Sequence, residues 1–379
     1  MHSLPILALI FLSLISITEG RCSIPKDNTS TSDTSPQDRL LTDSFFDRQT
    51  EILLILIFFV VAVVGALSHL LMITSLFAPP ILIRNPCYCR ILLLMMSDLV
   101  MCFFCLPFTL STLIWRDWTL GSFACTSLPF VDSMTLMINT LTTVMISMDR
   151  IRMVTGDSVT NHNCPVNQRI AWRFLIIETA VIWSISILVS LPVLWHHQLV
   201  NDVATGKTAI IKTCTEVWPS KDWMRAYHVF KLLFQFFVPA AVILSTFAMI
   251  TRHLHRSLGG VGSASYMRSG GRVQVHVSHG TQSRRKRDEG ICRHLLWIAV
   301  CYSMTWGPWN IYNVYLKLNS FSETEKEKEY LWLALFYLLV MVTIPVNALL
   351  YGWNIPCIRK QVIRVFQTLR FWRRPGLQS

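Results

Sequence analysis

Seven apolar stretches, at residues 52–77, 87–114, 122–150, 172–195, 226–250, 291–316 and 330–353, constrain this chain more than any other feature. A helix rises about 1.5 Å per residue, so roughly 20 apolar residues cross the hydrocarbon core of a bilayer. Lipid offers the backbone no hydrogen-bond partners, and runs of this length specify helices that satisfy their own. The expected fold class is an all-α membrane protein, a seven-transmembrane helix bundle. Only 15% of the 379 residues are charged, against about a quarter in a soluble domain. The inner segments, with the helix ends facing them, hold 21 Lys/Arg against 4 Asp/Glu, and the outer ones 12 against 15. Cytoplasmic loops are the basic ones in membrane proteins, which puts the N-terminus outside. The formal charge of +12 is therefore a topology signal, and no nucleic-acid partner is expected.

Residues 4–17 are apolar but short for a span, and Thr18 and Gly20 suit signal-peptidase cleavage. Residues 1–20 thus read as a signal peptide, with an uncleaved apolar terminus as the alternative. Residues 21–50 are rich in Ser, Thr and Asp and read as an extracellular tail, where Asn28-Thr29-Ser30 is a glycosylation sequon. The bundle occupies 51–354, interrupted by a Gly-, Ser- and Arg-rich cytoplasmic loop at about 252–289. In 355–379 basic residues interleave with Ile, Val and Phe, which suits a short amphipathic helix on the membrane surface followed by a tail. Cys357 there is either a palmitoylation site or a buried thiol. Cys102, Cys105 and Cys301 lie in apolar runs and read as small core hydrophobes. No nucleophile–base pair or metal cluster points to an enzyme, and no inverted repeat points to a transporter.

Charged and polar residues inside the apolar runs carry the functional signal. In 121–152 a cysteine, Cys125, is followed by Asp132 and then by Asp149-Arg150, with almost nothing charged between. A carboxylate at the bilayer centre costs on the order of 3 kcal/mol, so Asp132 needs a partner. That partner is either a ligand cation or an internal group such as Lys231. Asp98 is similarly isolated, with Pro107 beyond it. Trp306 precedes Pro308, which removes a backbone hydrogen bond and bends its helix. Pro345, Asn347, Ala348 and Tyr351 close the last run.

These residues resemble the rhodopsin-like G-protein-coupled receptors. Trp118-x-x-Gly121-x-x-x-Cys125, Asp149-Arg150-Ile151, Asp98 with Pro107, Thr305-Trp306-Gly307-Pro308 and Asn347-Ala348-x-x-Tyr351 follow that family's motifs. Ile151 stands where the family has tyrosine, Thr305 where it has cysteine, Ala348 where it has proline and His69 where it has asparagine. The resemblance implies a Cys125–Cys214 disulfide pinning the second outer loop across the ligand entrance, and Trp306 and Pro308 as the switch of the sixth helix. It implies an Arg150–Asp288 pair at the cytoplasmic end, although Asp288 adjoins a basic run that offers local partners. It also implies an allosteric sodium site at Asp98, Asn139 and Asn347, the alternative being a neutral Asp98 that serves packing. No other cofactor is implied.

The stretch Cys214-Thr-Glu216-Val-Trp218-Pro219, with Tyr227 and Gln235-Phe-Phe-Val-Pro239, is similar to receptors of the neuropeptide Y, neuropeptide FF and RYamide group. The expected function is thus a receptor at the plasma membrane, multi-pass with its N-terminus extracellular. It would bind a short neuropeptide and act on a heterotrimeric G protein, with arrestin and membrane lipids as further partners. The expected ligand-binding residues are Asp132, Glu216, Lys231, Gln235, Trp309, Asn310, Asn313 and Tyr337. Glu216 would receive a basic peptide group, or else serve as a solvated loop acid. The rivals are a receptor for a small cationic amine, suggested by Asp132 and TWGPWN, and a seven-helix ion transporter or channel.

Overall fold

The computed structural model describes residues 46–77, 86–114, 118–155, 168–203, 210–260, 279–319, 323–354 and 356–372. The signal-peptide reading, nearly all of the N-terminal tail with Asn28, and the centre of the long cytoplasmic loop lie outside the described residues.

The chain runs through α1 (Arg48–Phe77), α2 (Pro86–Val100, Met101–Cys105, Leu106–Ile114), α3 (Gly121–Thr155) and α4 (Gln168–His196). An antiparallel hairpin, β1 (His197–Val203) and β2 (Ile210–Glu216), leads to α5 (Lys221–Leu232, Leu233–Phe237, Val238–Gly260). α6 (His279–Leu318), α7 (Glu323–Asn354) and the short α8 (Pro356–Trp372) follow. The hairpin was not foreseen in an all-α reading. Its strands carry the β-branched residues Val200, Val203, Ile210, Ile211, Thr213 and Thr215, types that favour extended backbone.

Six of these helices, α1 to α5 and α7, are long and apolar enough to cross a membrane. The seven apolar crossings expected from sequence are thus six by this measure, because Trp306, Pro308, Trp309, Asn310, Tyr312 and Asn313 replace aliphatic residues in α6. α5 and α6 also continue into the expected loop, to Gly260 and from His279.

The middle stretches of α2 and α5 are π-helical turns, at Met101–Cys105 and Leu233–Phe237. Each precedes a proline, Pro107 and Pro239. A proline lacks an N–H and collides with the carbonyl four residues back, and widening the helix by one residue relieves this. In α5 the carbonyl deprived of its donor is that of Gln235. The Tyr302 hydroxyl of α6 donates to it at 2.5 Å, so the break in one helix becomes a bond to the next.

α3 packs against α2, α4, α5 and the hairpin, and α7 against α1 and α6. Burial in lipid gains little from water exclusion, so close packing and bonds between helices hold such a bundle. Gly65 allows one close approach: a Cβ there would lie 3.0 Å from Cys102 Sγ and 3.1 Å from Ile344 Cγ2. An outer cluster surrounds Phe58, Trp306, Trp309 and Tyr337, and an inner one Met72, Leu94, Ala348 and Tyr351. α8 rests on α1 and α7 through Ile358. Ile176, Ile177 and Leu188 of α4 face outward, as lipid contact requires.

Candidate functional site

Cys125 and Cys214 form a disulfide that fastens β2 to the outer end of α3. The Trp118 N–H adds a bond to the Lys212 carbonyl at 2.7 Å. Side chains alternate along a strand, so fixing Cys214 also fixes the side of Glu216. Glu216 borders a cavity of about 300 Å³ whose wall includes Asp132, Lys231, Gln235, Trp309, Asn310, Asn313 and Lys317. Every expected ligand residue except Tyr337 therefore lines one space. Tyr337 belongs beside it, because its hydroxyl donates to Asp132 Oδ1 at 3.1 Å.

The two acids are differently provided for. Glu216 lies 3.1 Å from Lys317 Nζ, accepts from His228 Nε2 at 2.9 Å and from Trp218 Nε1 at 3.0 Å, and has His197 at 3.7 Å. Burial pushes its carboxyl up, but Lys317, His228 and His197 outweigh this and hold it well below the usual range. Burial also lowers His197, with Glu216 opposing. Asp132, by contrast, has Tyr337 as its hydrogen-bond donor and Lys231 as the acting positive charge. Gln235 is 1% exposed, and its amide nitrogen has no hydrogen-bond partner among the described residues.

Below this cavity, Trp309 packs on Tyr337 with ring centroids 4.9 Å apart, and Asn310 donates to the Trp306 carbonyl at 2.9 Å. Trp306 stacks on Tyr302 and borders a second cavity of about 30 Å³ beside Asp98, Asn139 and Asn347. Asn139 and Asn347 donate to Asp98 at 2.9 and 3.3 Å. His69, which departs from the expected pattern, joins this network. Its Nε2 lies 2.9 Å from the Ile344 carbonyl and 3.3 Å from Asp98 Oδ2, so it replaces the usual amide as a donor.

At the cytoplasmic end, Asp149 pairs with Arg90 of α2 at 2.7 Å and with Arg152 at 3.5 Å. Arg90 also bonds Glu178 of α4. Arg150 is close enough to Tyr351 and His294 to act on both electrostatically. The side chain of Asp288, its expected partner, lies outside the described ones. Lys317, His197, His228, Arg90 and Glu178 were missed by sequence reasoning. Glu178 carried the signal that singled out Asp98, a lone acid in an apolar run.

The sequence pattern of the 7 transmembrane receptor (rhodopsin family) matches residues 70–351. The chain belongs to that family. Among curated relatives, the neuropeptide F receptor of Drosophila melanogaster is 24% identical over 332 residues, 86% of this chain and 64% of its own. The neuropeptide Y receptor type 2 of Macaca mulatta is 26% identical over 281 residues, 72% of this chain and 66% of its own. That of Sus scrofa is 27% identical over 282 residues. The chain thus spans slightly less than two thirds of the length of the first relatives it matches. Membership makes this a multi-pass membrane protein of a receptor family, not of an enzyme family, and supplies the seventh crossing that the apolarity of α6 left open.

Proposed function

We propose that the chain is a receptor for an extracellular neuropeptide, whose binding it reports to a heterotrimeric G protein by movement of α6. One observation carries the peptide pocket: a cavity lined by Asp132, Lys231 and Gln235, whose amide nitrogen is buried with no hydrogen-bond partner among the described residues. Buried polar groups without partners are costly, so a ligand that supplies them gains affinity. A volume of about 300 Å³ is at the low end for ligand sites. It accommodates the inserted end of a peptide, with the remainder lying over the hairpin. The names of the similar receptors support this class.

In this reading Asp132 takes the cationic group of the inserted end, and Gln235 and Asn313 take its amides. Glu216 accepts a basic group only by releasing Lys317 and His228, so Asp132 has the first claim. Trp309 and Tyr337 form the floor. Their displacement reaches Trp306, one turn deeper, and shifts the population of states that differ in the bend at Pro308. The N-terminus and the hairpin face the outside of the plasma membrane. Arrestin meets the same cytoplasmic face as the G protein, and lipid covers α4 and α8.

The residues around Asp98 fit a sodium ion in donor chemistry. A hard cation takes oxygen ligands, and Thr140 Oγ1 is a further oxygen buried beside Asp98's cavity, close to the Tyr302 hydroxyl. Asp98, the Asn139 and Asn347 amides and Thr140 would hold the ion, which supplies positive charge that favours one receptor state.

The test is G-protein activation in cells, with amidated neuropeptides and biogenic amines applied to wild type and Asp132→Asn. A peptide response weakened about tenfold or more by the substitution is expected. An amine response lost in the variant would overturn the peptide assignment.

A further inference from the structure

Lys231 of α5 lines the ligand cavity, and both acids that border the same space are engaged by other groups. Asp132 accepts from the Tyr337 hydroxyl at 3.1 Å. Glu216 holds Lys317 at 3.1 Å and accepts from His228 and Trp218. Asp132, Glu216 and Lys317 act on Lys231 through space, yet among the described residues its ammonium makes no hydrogen bond and no ion pair. An ammonium has three donors and no acceptor, so the group it lacks is an acceptor, and an anionic one bonds it most strongly.

Two further observations point to an anion. Gln235, four residues on along α5 and on the same cavity, is 1% exposed, and its amide nitrogen finds no partner among the described residues. One helix thus brings two unused donors to the cavity. The second observation is the charge balance. Asp132 and Glu216 are matched by Lys231 and Lys317, beside the imidazoles of His197 and His228. A ligand end that brings only a cation to Asp132 adds an unmatched positive charge to a space that already holds Lys231. An end that also brings a carboxylate keeps the balance.

We infer that the inserted end of the ligand is zwitterionic: beside the cation for Asp132 it carries a carboxylate, which Lys231 receives. Gln235 donates to an adjoining peptide carbonyl. The carboxylate is either an Asp or Glu side chain near the inserted end or a free C-terminus, which present the same group to the ammonium. An amidated end without an acid leaves Lys231 unanswered.

This rests on the peptide-receptor reading above and specifies its ligand. The probes are short synthetic peptides in which one arginine is placed at each position in turn, made in three matched forms. One form is amidated and acid-free, one amidated with a glutamate scanned along it, and one acid-free with a free C-terminal carboxylate. Binding to full-length receptor in lipid nanodiscs should be about tenfold or more tighter for one of the two acid-bearing forms, and which one identifies the source. Lys231→Gln should bring that ratio to about one. Lys231→Glu should invert it, so that a lysine in place of the glutamate, or the amide in place of the free acid, binds better. A purely structural role for Lys231 would weaken all three forms alike. Equal binding of all forms by wild type, which needs no variant to fold, overturns the inference and leaves the peptide reading standing. A preference that survives Lys231→Gln overturns it too. Wild type that binds none of the peptides overturns both.

Discussion

Glu216 is the residue at which the hairpin, α5 and α6 meet, and its surroundings set a pH dependence. Its carboxyl is held below the ordinary range, so the native contacts of the anion stabilise above the unfolded value and are lost as pH falls through the lower native one. His197 is also lowered, so its neutral form belongs to the native state and acid destabilises it, beginning below the ordinary histidine value of about 6.5. Both signs agree. Thermal unfolding in detergent should show stability declining on acidification, first below about pH 6.5 and further below about pH 4.5. Glu216→Gln should remove the second decline and cost about 1.5–3 kcal/mol at neutral pH, the range for a hydrogen bond to a charged group. An unchanged pH profile in that variant would assign the decline elsewhere.

The prolines of the helices were legible in sequence, and their consequences were not. Pro239 entered only as part of a family resemblance, and the π-helical turn before it and the capture of the Gln235 carbonyl by Tyr302 depend on how α6 lies against α5. Tyr302→Phe should leave that buried carbonyl without its donor and lower stability by about 1–3 kcal/mol, read as a fall in unfolding temperature. It should also loosen the tie between α5 and α6. Lone acids in apolar runs announced Asp98 and Asp132 for the same reason that they announced the helices: charge in lipid is expensive. Glu178 gave the same signal. Lys317 gave none, because it lies at the end of α6 and meets Glu216 only through a strand register and a disulfide about a hundred residues away in sequence.

Across the whole molecule, the polar groups fall into three layers along the helix axes: the ligand cavity, the Asp98 network and the Arg90 cluster. Trp306 stands between the first two, packed on Tyr302 and bordering the cavity beside Asp98. Trp306→Ala should therefore lower maximal signalling by a peptide agonist more than its affinity, measured as separate binding and activation curves. Replacing sodium by choline should raise agonist affinity in wild type and leave Asp98→Asn unaffected, since that variant lacks the carboxylate that would hold the ion. Equal responses of the two would remove the sodium assignment. Family membership follows from the sequence match, and the layering brings together residues far apart in the chain.

The central claim is that a peptide in the outer cavity moves the inner end of α6. Spin labels at exposed Arg173 of α4 and Arg293 of α6, in full-length receptor, would measure that separation without ligand and with a peptide found by the activation screen. The expected result is a population at longer distance that grows with peptide occupancy and needs about tenfold or more peptide in Asp132→Asn. A distance distribution unchanged at saturating peptide, in receptor that activates its G protein, would contradict the account.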